Sequence, residues 1–299
     1  MSPQSGVLAM PGGDHRTADF LALTKPRVVV MVLLTTLIGF YLGSKGEVQY
    51  FRMAATILGT GLAAAGTLAL NQYLERDLDA RMKRTRRRPL PDGRLQPLEA
   101  LVFGALLVAA GLLYLTLSVN ALSGLVTATT VITYLFVYTP MKRRSSLCTV
   151  VGAVPGALPP LTGWAAARGD LSVEGWILFA IMFLWQLPHS LAIAWLYRED
   201  YARAGMKLLP VIEPDGESTA RQVVINSFAL LVVGLLPTLA GIAGSAYFAV
   251  AFVLGSGLLA CGVYLARVRS ATAARRMMFA TLVYLPLLLI TMALDKLAL

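Results

Sequence analysis

The stretch NQYLERDLDARMKRTRRRPLP, residues 71–91, decides how this chain of 299 residues is read. It follows directly on an apolar run, sets down the carboxylates Glu75, Asp77 and Asp79, and then passes into Arg81, Lys83, Arg84, Arg86, Arg87 and Arg88. If the helix continues through it, Asn71, Glu75 and Asp79 drift only about 40° per four-residue step and share one face, while Asp77 points elsewhere. Three oxygen donors along roughly 12 Å of one helix face, at the end of a membrane span, suit a hard divalent cation such as Mg²⁺. Such an ion keeps waters and takes phosphate oxygens as further ligands. The arginines alone could be a solvated loop that orients the chain in the bilayer. Orientation needs no acids, however, and ionisable groups at the end of a span facing a bundle mark function.

The rest of the chain is membrane-like. It is 57% hydrophobic and 14% charged, against about 25% charged in a soluble domain. Its apolar runs reach the roughly 20 residues that cross a bilayer core. Nine candidate spans cover residues 28–43, 53–73, 98–118, 121–139, 147–166, 173–196, 222–240, 246–266 and 277–294. The expected fold is therefore all-α, a polytopic membrane protein with nine transmembrane helices in one bundle. Residues 1–24 are expected to form a flexible cytoplasmic tail, and residues 25–299 a single transmembrane domain. The third and fourth spans are joined so tightly that they must form a hairpin. The fifth, with Gly152, Pro155, Gly156, Pro159 and Pro160, needs neighbours or water to satisfy the backbone groups its prolines free, which predicts a bent, buried helix.

Charge placement gives the orientation. Lys45, Arg52, Arg168 and Lys296 fall on one side of this alternation, and the remaining Lys and Arg fall on the other. By the positive-inside rule the N-terminus is cytoplasmic and the C-terminus outside. The net charge of +10 is thus distributed for a lipid bilayer and not for nucleic acid. No signal-peptide core or import sequence precedes the first span, which favours a bacterial inner membrane. Cys148 and Cys261 both lie in or beside apolar segments, as small packed thiols do. A weaker echo of the first acidic stretch, YREDYARAGMKLLP at 197–210, follows the sixth span on the same side. The two loops could close over one site.

These residues resemble the intramembrane aromatic prenyltransferases typified by the 4-hydroxybenzoate polyprenyltransferases, whose signature is Asn-x-x-x-Asp-x-x-x-Asp after the second span and a second acidic motif after the sixth. Within that superfamily the chain is most similar to the heme O synthase branch. The similarity is carried by TKPRVVVMVLLTTLIGFYLG (24–43), NQYLERDLDARMKRTRRRPLPDGRL (71–95), YTPMKRR (138–144), GALPPLTGW (156–164) and WQLPHSLAIAWLYREDYARAGMKLLPV (185–211).

The resemblance implies that Asn71, Glu75 and Asp79, with Glu in place of the first Asp, hold Mg²⁺ on an isoprenyl diphosphate. It implies that Arg84, Lys142, Arg143 and Lys207 contact the diphosphate oxygens. In the second motif Asp200 has Ala204 where the wider superfamily has another Asp. The resemblance then implies one of two arrangements: Asp200 with Glu199 still binds an ion, or Arg203 and Lys207 replace it with point charges, so that one metal or two stays open. The implied substrates are farnesyl diphosphate and heme b, joined at a heme vinyl group with addition of water to give heme O and diphosphate. Heme A synthase or a terminal oxidase would then receive the product. His189, in the middle of the sixth span, reads either as a helix-packing hydrogen-bond group or as a heme contact, and the Pro-His pair resembles the heme branch. Other acceptors, such as a quinone precursor or chlorophyllide, would share the same diphosphate site. A transporter would also suit a bundle with broken helices, but the charges here gather at one membrane face and no inverted repeat is visible. A non-catalytic heme chaperone would need His189 and not the acids of the first motif.

Overall fold

The computed structural model describes residues 13–297. Along the chain run α1 (Gly13–Leu23), α2 (Pro26–Gly43), α3 (Tyr50–Asp79) and α4 (Pro97–Ser118). Then α5 (Ala121–Ile132) continues through a π-helical turn (Thr133–Tyr138) into α6 (Thr139–Met141). After α7 (Cys148–Arg168) and α8 (Val173–Leu196) come the short α9 (Arg198–Arg203) and α10 (Leu209–Ile212). The chain ends with α11 (Glu217–Leu239), α12 (Ser245–Val268) and α13 (Ala271–Leu294). Among the described residues, nine spans are long and apolar enough to cross a membrane, the fourth made of α5, the π turn and α6. The protein is an all-α integral membrane bundle, as the apolar runs predict.

The ends of the spans are where hydropathy falls short. Helix α3 runs on through Asp79, and α11 and α13 begin at Glu217 and Ala271, several residues before their apolar runs do. Leu, Glu and Arg are good helix formers whether or not lipid surrounds them, so the helices outlast the apolar surface.

The expected flexible tail needs correction over its second half. Residues 13–23 form α1, which is docked on the bundle: Leu23 is fully buried, and the Phe20 ring lies 5.0 Å from that of Phe103. Gln72 Nε2 donates to the carbonyls of Ala22 (3.0 Å) and Leu23 (2.9 Å), satisfying groups that a helix end otherwise leaves free. Asp19 pairs with Arg94. Phe20 and Leu23, three apart, give this short helix an apolar edge that a charge-based reading passes over. The tail residues 1–12 lie outside the described residues.

Helix α7 sits at the centre, and more of it is buried than of any other span. It touches α2 backbone to backbone. A Cβ at Gly39 would fall 2.0 Å from Pro160 O, and one at Gly163 would fall 2.0 Å from Thr36 O. Such close approach is how helices gain packing energy where lipid offers no hydrophobic drive. Asn120 makes the α4–α5 hairpin: its Oδ1 accepts from Ser123 N (2.7 Å), and its Nδ2 donates to Ala165 O on α7 (2.9 Å). At that same rim, Lys296 Nζ donates to the carbonyls of Tyr41 (2.7 Å) and Ser44 (2.8 Å). The end of the last span is thereby tied to the end of the first long one.

Candidate active site

The rim opposite Lys296 carries the acidic stretch of residues 71–79. Asn71, Glu75 and Asp79 occupy the last turns of α3 and are 1%, 5% and 1% exposed, whereas Asp77 is open to solvent. Each of the three is engaged by a different cation. Lys25 Nζ donates to Asn71 Oδ1 at 3.1 Å, Lys142 Nζ to Glu75 Oε1 at 2.7 Å, and Arg88 Nη1 to Asp79 Oδ2 at 2.6 Å. The cations come from three segments: the residue before α2, the residue after α6, and the loop after α3.

Lys25 is held in an uncommon backbone conformation, φ 48° and ψ 66°. A non-glycine residue there costs of order 1–3 kcal/mol and persists only where its surroundings fix it. Burial, with Arg88 and Lys142 nearby, pushes its ammonium down to about 7. Lys142 goes the other way. Burial works against its charge, but its contacts with Tyr138 and Glu75 outweigh that and raise its pKa. Lys142 also lies 4.5 Å from the Tyr138 ring centroid.

The π-helical turn prepares the other wall. Such turns insert an extra residue and are frequent at functional sites. Here the turn brings both Tyr134 and Tyr138 to the central cavity, and Thr139 beyond it accepts from Asn71 Nδ2 at 3.2 Å. Thr139 in turn donates to Tyr134 O at 2.8 Å. Asn71 is thus fixed at both ends of its amide.

One turn back along α3 from Asn71, Thr67 and Leu68 line a cavity of about 450 Å³, within the range of small-ligand sites; Asn71, Glu75 and Asp79 are not themselves among its lining residues. Its walls come from α2, α3, α5, the π turn, α7 and α8. Val28, Val32, Leu68 and Val131 line it together with hydroxyl-bearing Thr60, Thr67, Thr127 and Thr162. Arg84 and Tyr201 stand among its lining residues. Arg84 Nη2 is 3.4 Å from Tyr201 Oη, and its guanidinium lies 5.0 Å from the Tyr197 ring centroid. The basic loop after α3 therefore meets the second acidic loop over the cavity.

That second loop is built differently. Asp200 is buried and pairs with exposed Arg203 three residues on, while Glu199 is exposed. Lys207 is exposed at its side chain, and its backbone N–H donates to Lys142 O at 2.8 Å. Arg143 is exposed beside Lys142. His189 is absent from the cavity lining. It stacks on Trp185 with centroids 4.9 Å apart, and its Nδ1 lies 2.8 Å from Thr281 Oγ1 on α13. Thr281 already gives its only hydroxyl proton to Met278 O (2.6 Å). His189 Nδ1 must therefore be the protonated donor, which leaves Nε2 with its lone pair.

Among the described residues no three His, Cys, Asp or Glu side chains gather as a metal cage. Mg²⁺ does not require one, because it commonly takes one or two carboxylates and completes its shell with water and phosphate. Asn71, Glu75 and Asp79 fit that pattern: a buried set of hard oxygen donors whose charge is balanced by cations. The second loop supplies one buried carboxylate.

Sequence reasoning placed Asn71, Glu75, Asp79, Lys142 and Arg84 where the structure brings them together. It counted Lys25 only as topogenic charge, and Arg88 only as one member of the basic cluster beside the acids, which would hold the rest of a polyanion. The position of Lys25 directly ahead of the first span, in TKPR, was the available signal. Tyr134, Tyr138 and Tyr201 gave no signal, since aromatic residues at a span end are ordinarily interface anchors.

Comparison with known proteins agrees with this geometry. A protoheme IX farnesyltransferase of Solibacter usitatus (strain Ellin6076) is 48% identical over 287 residues, 93% of this chain and 98% of that protein. One of Koribacter versatilis (strain Ellin345) is 40% identical over 99% of each. Among solved structures, one described for digeranylgeranylglyceryl phosphate synthase in membranes superposes with a TM-score of 0.80 at 16% identity, covering 94% of this chain and 98% of that one. A UbiA homolog from Archaeoglobus fulgidus bound to GPP and Mg²⁺ gives 0.65 at 16% identity, covering 92% and 99%. The model of the UbiA prenyltransferase family matches residues 32–284, and the chain belongs to that family.

Proposed function

We propose that the protein transfers the farnesyl group of farnesyl diphosphate to a vinyl group of heme b, with addition of water, to give heme O and diphosphate. The observation that carries this reading is the buried Asn71, Glu75 and Asp79 face, each residue held by a cation, one helical turn along α3 from Thr67 and Leu68 of the cavity wall. Identity of 40–48% to protoheme IX farnesyltransferases supports the choice of acceptor.

In this reading the diphosphate lies against the α3 face, and Asn71, Glu75 and Asp79 would hold Mg²⁺ there. When bound, the ion neutralises charge on the departing diphosphate. Lys25, Lys142 and Arg88 turn from the α3 side chains to the diphosphate oxygens, and Arg84 reaches them from above. These fixed cations stabilise negative charge as the bond to carbon 1 of the farnesyl chain breaks. Arg143, Arg203 and Lys207, exposed around the mouth, draw the anion in. The farnesyl tail fills the cavity, whose walls keep bulk water from the allylic cation. Asp200 with Glu199 would close the site from the second loop. His189 would contact heme through Nε2, on the side of α8 that faces α13. The basic rim faces the cytoplasm of a bacterial inner membrane, and heme A synthase or a terminal oxidase in that membrane receives the product.

The test is mass spectrometry of heme extracted after incubating the purified protein with heme b, farnesyl diphosphate and Mg²⁺, beside an Asp79→Ala control. Heme heavier by one farnesyl group plus water, absent in the control, is expected. Unchanged heme, with diphosphate released as the prenyl group passes to a quinone precursor, would replace the acceptor. No diphosphate release with any acceptor would remove the enzymatic reading.

A further inference from the structure

The last step of that reaction needs a single water inside an apolar bundle, and one side chain in the cavity wall is arranged to hold it. Gln186 on α8 lines the cavity. Its Nε2 donates to Met182 O on the preceding turn (3.0 Å) and to Ala153 O on α7 (3.3 Å). Two carbonyl acceptors fix which end of the amide is nitrogen, because a carbonyl cannot bond to Oε1. The oxygen is therefore the end left for the cavity, and no described residue donates to it.

Room for the amide comes from Gly156 on α7, where a Cβ would fall 1.9 Å from Gln186 Oε1. The neighbouring backbone adds acceptors of its own. The carbonyls of Pro155 and Gly156 would take their helical hydrogen bonds from residues 159 and 160, and both are prolines without an N–H. Pro155, Gly156 and Pro159 all line the cavity. Ser190, one turn along α8 from Gln186, lines it as well. The polar atoms at this level are thus mostly acceptors. A water among them points its hydrogens at the protein and its lone pair into the cavity, which is the orientation of a nucleophile facing an electron-poor carbon.

We propose that Gln186, seated against Gly156, holds the water that captures the carbocation and so makes the product an alcohol. This rests on the farnesyl transfer to heme proposed above. The carbon–oxygen bond of farnesyl diphosphate breaks with its electron pair leaving on diphosphate. The vinyl π pair forms the new carbon–carbon bond and leaves the positive charge on the carbon next to the porphyrin. The water oxygen bonds to that carbon, and the proton it sheds goes to the diphosphate freed in the first step. Gln186 accepts a hydrogen bond throughout and keeps no proton. Without a held water, the cation instead loses a proton from the adjoining CH₂, and the product is an alkene lighter by one water.

The experiment compares wild type, Gln186→Leu and Gly156→Ala, each checked for folding by its elution profile and thermal unfolding in detergent. Diphosphate release and the ratio of dehydrated to hydrated prenyl heme are read together. The expected result is continued diphosphate release with that ratio raised about tenfold in Gln186→Leu, the scale of one lost hydrogen bond. A smaller rise is expected in Gly156→Ala, which displaces the amide and keeps it. The wild-type ratio in whichever of the two variants folds would overturn the proposal alone. Wild-type protein that makes no prenylated heme of either kind would overturn the underlying reaction, and the proposal with it.

Discussion

The two acid-bearing loops on the basic rim have similar compositions and opposite physics. In the first, Asn71, Glu75 and Asp79 stay on a continuous helix, are buried, and are met by cations from three separate segments. In the second, α8 stops at Leu196, the chain turns at Tyr197, and Asp200 is neutralised by Arg203 within the same short helix. Long-range pairs bind the loops of the bundle into one unit and can all be exchanged when a multivalent anion and its metal arrive. A local i,i+3 pair ties nothing to anything else. The first loop is therefore read as the binding surface, and the second as its cover, fastened by Lys207 N–H to Lys142 O and by Arg84 between the tyrosines.

The sharpest way to break this contrast is to remove one acid from each loop. Asp79→Ala should lower kcat by about 10²–10³-fold, the scale on which a preorganised electrostatic group acts. Asp200→Ala should cost about tenfold less, since the α3 face and its cations remain. Equal losses in steady-state assays of diphosphate release would show that both loops carry the same charge load. The cations provide the next test. Lys142→Met leaves Glu75 charged and buried, with side-chain exposures of 12% and 7% in the pair, and should destabilise the protein by about 3–5 kcal/mol. Arg203→Met removes a cation whose side chain is 39% exposed, from beside a buried Asp200; water can take the place of that guanidinium, so the cost should be smaller, about 1–3 kcal/mol. Thermal unfolding in detergent separates the two.

Much of this contrast was legible before any coordinates. The spacing of Asn71, Glu75 and Asp79 shows a shared face once a helix is assumed, and apolar run lengths give nine spans because lipid thickness sets them. What could not be read is which cation meets which acid. Lys25, Lys142 and Arg88 are separated from their partners by 46, 67 and 9 residues, and only the packing of α2, α3 and the π turn brings them together. The π turn itself is invisible in TYLFVY, whose residues suit an α-helix equally well. His189 shows the same limit from the other side: its presence in a span was plain, but its orientation toward Thr281 depends on how α8 meets α13. The helix over residues 13–23 was missed because its apolar edge is two side chains wide.

A smaller effect is expected where the loops touch. Arg84→Ala removes the guanidinium from between Tyr197 and Tyr201 and from the cavity mouth. It should raise KM for farnesyl diphosphate about tenfold through the lost charge-assisted contact. Tyr201→Phe keeps the ring and loses only a 3.4 Å hydroxyl contact, so its KM should change by about threefold or less. If the two variants were equally impaired, the hydroxyl and not the guanidinium would be the group that matters.

The smallest effect should come from Glu199, and it is the most discriminating. It adjoins Asp200 in sequence, yet Asp200 is buried and Glu199 is exposed to solvent at the start of α9. A carboxylate in water loses little when removed, and its field at the site is screened within about 10 Å. Glu199→Ala should therefore leave kcat and the Mg²⁺ dependence within about twofold of wild type, as exposed substitutions usually do. A large rise in the Mg²⁺ concentration needed for half-maximal activity would mean that α9 rotates on substrate binding and turns Glu199 inward. The second loop would then be a metal-binding surface that forms only in the loaded enzyme, and its local Asp200–Arg203 pair would be the catch that holds it back in the free protein.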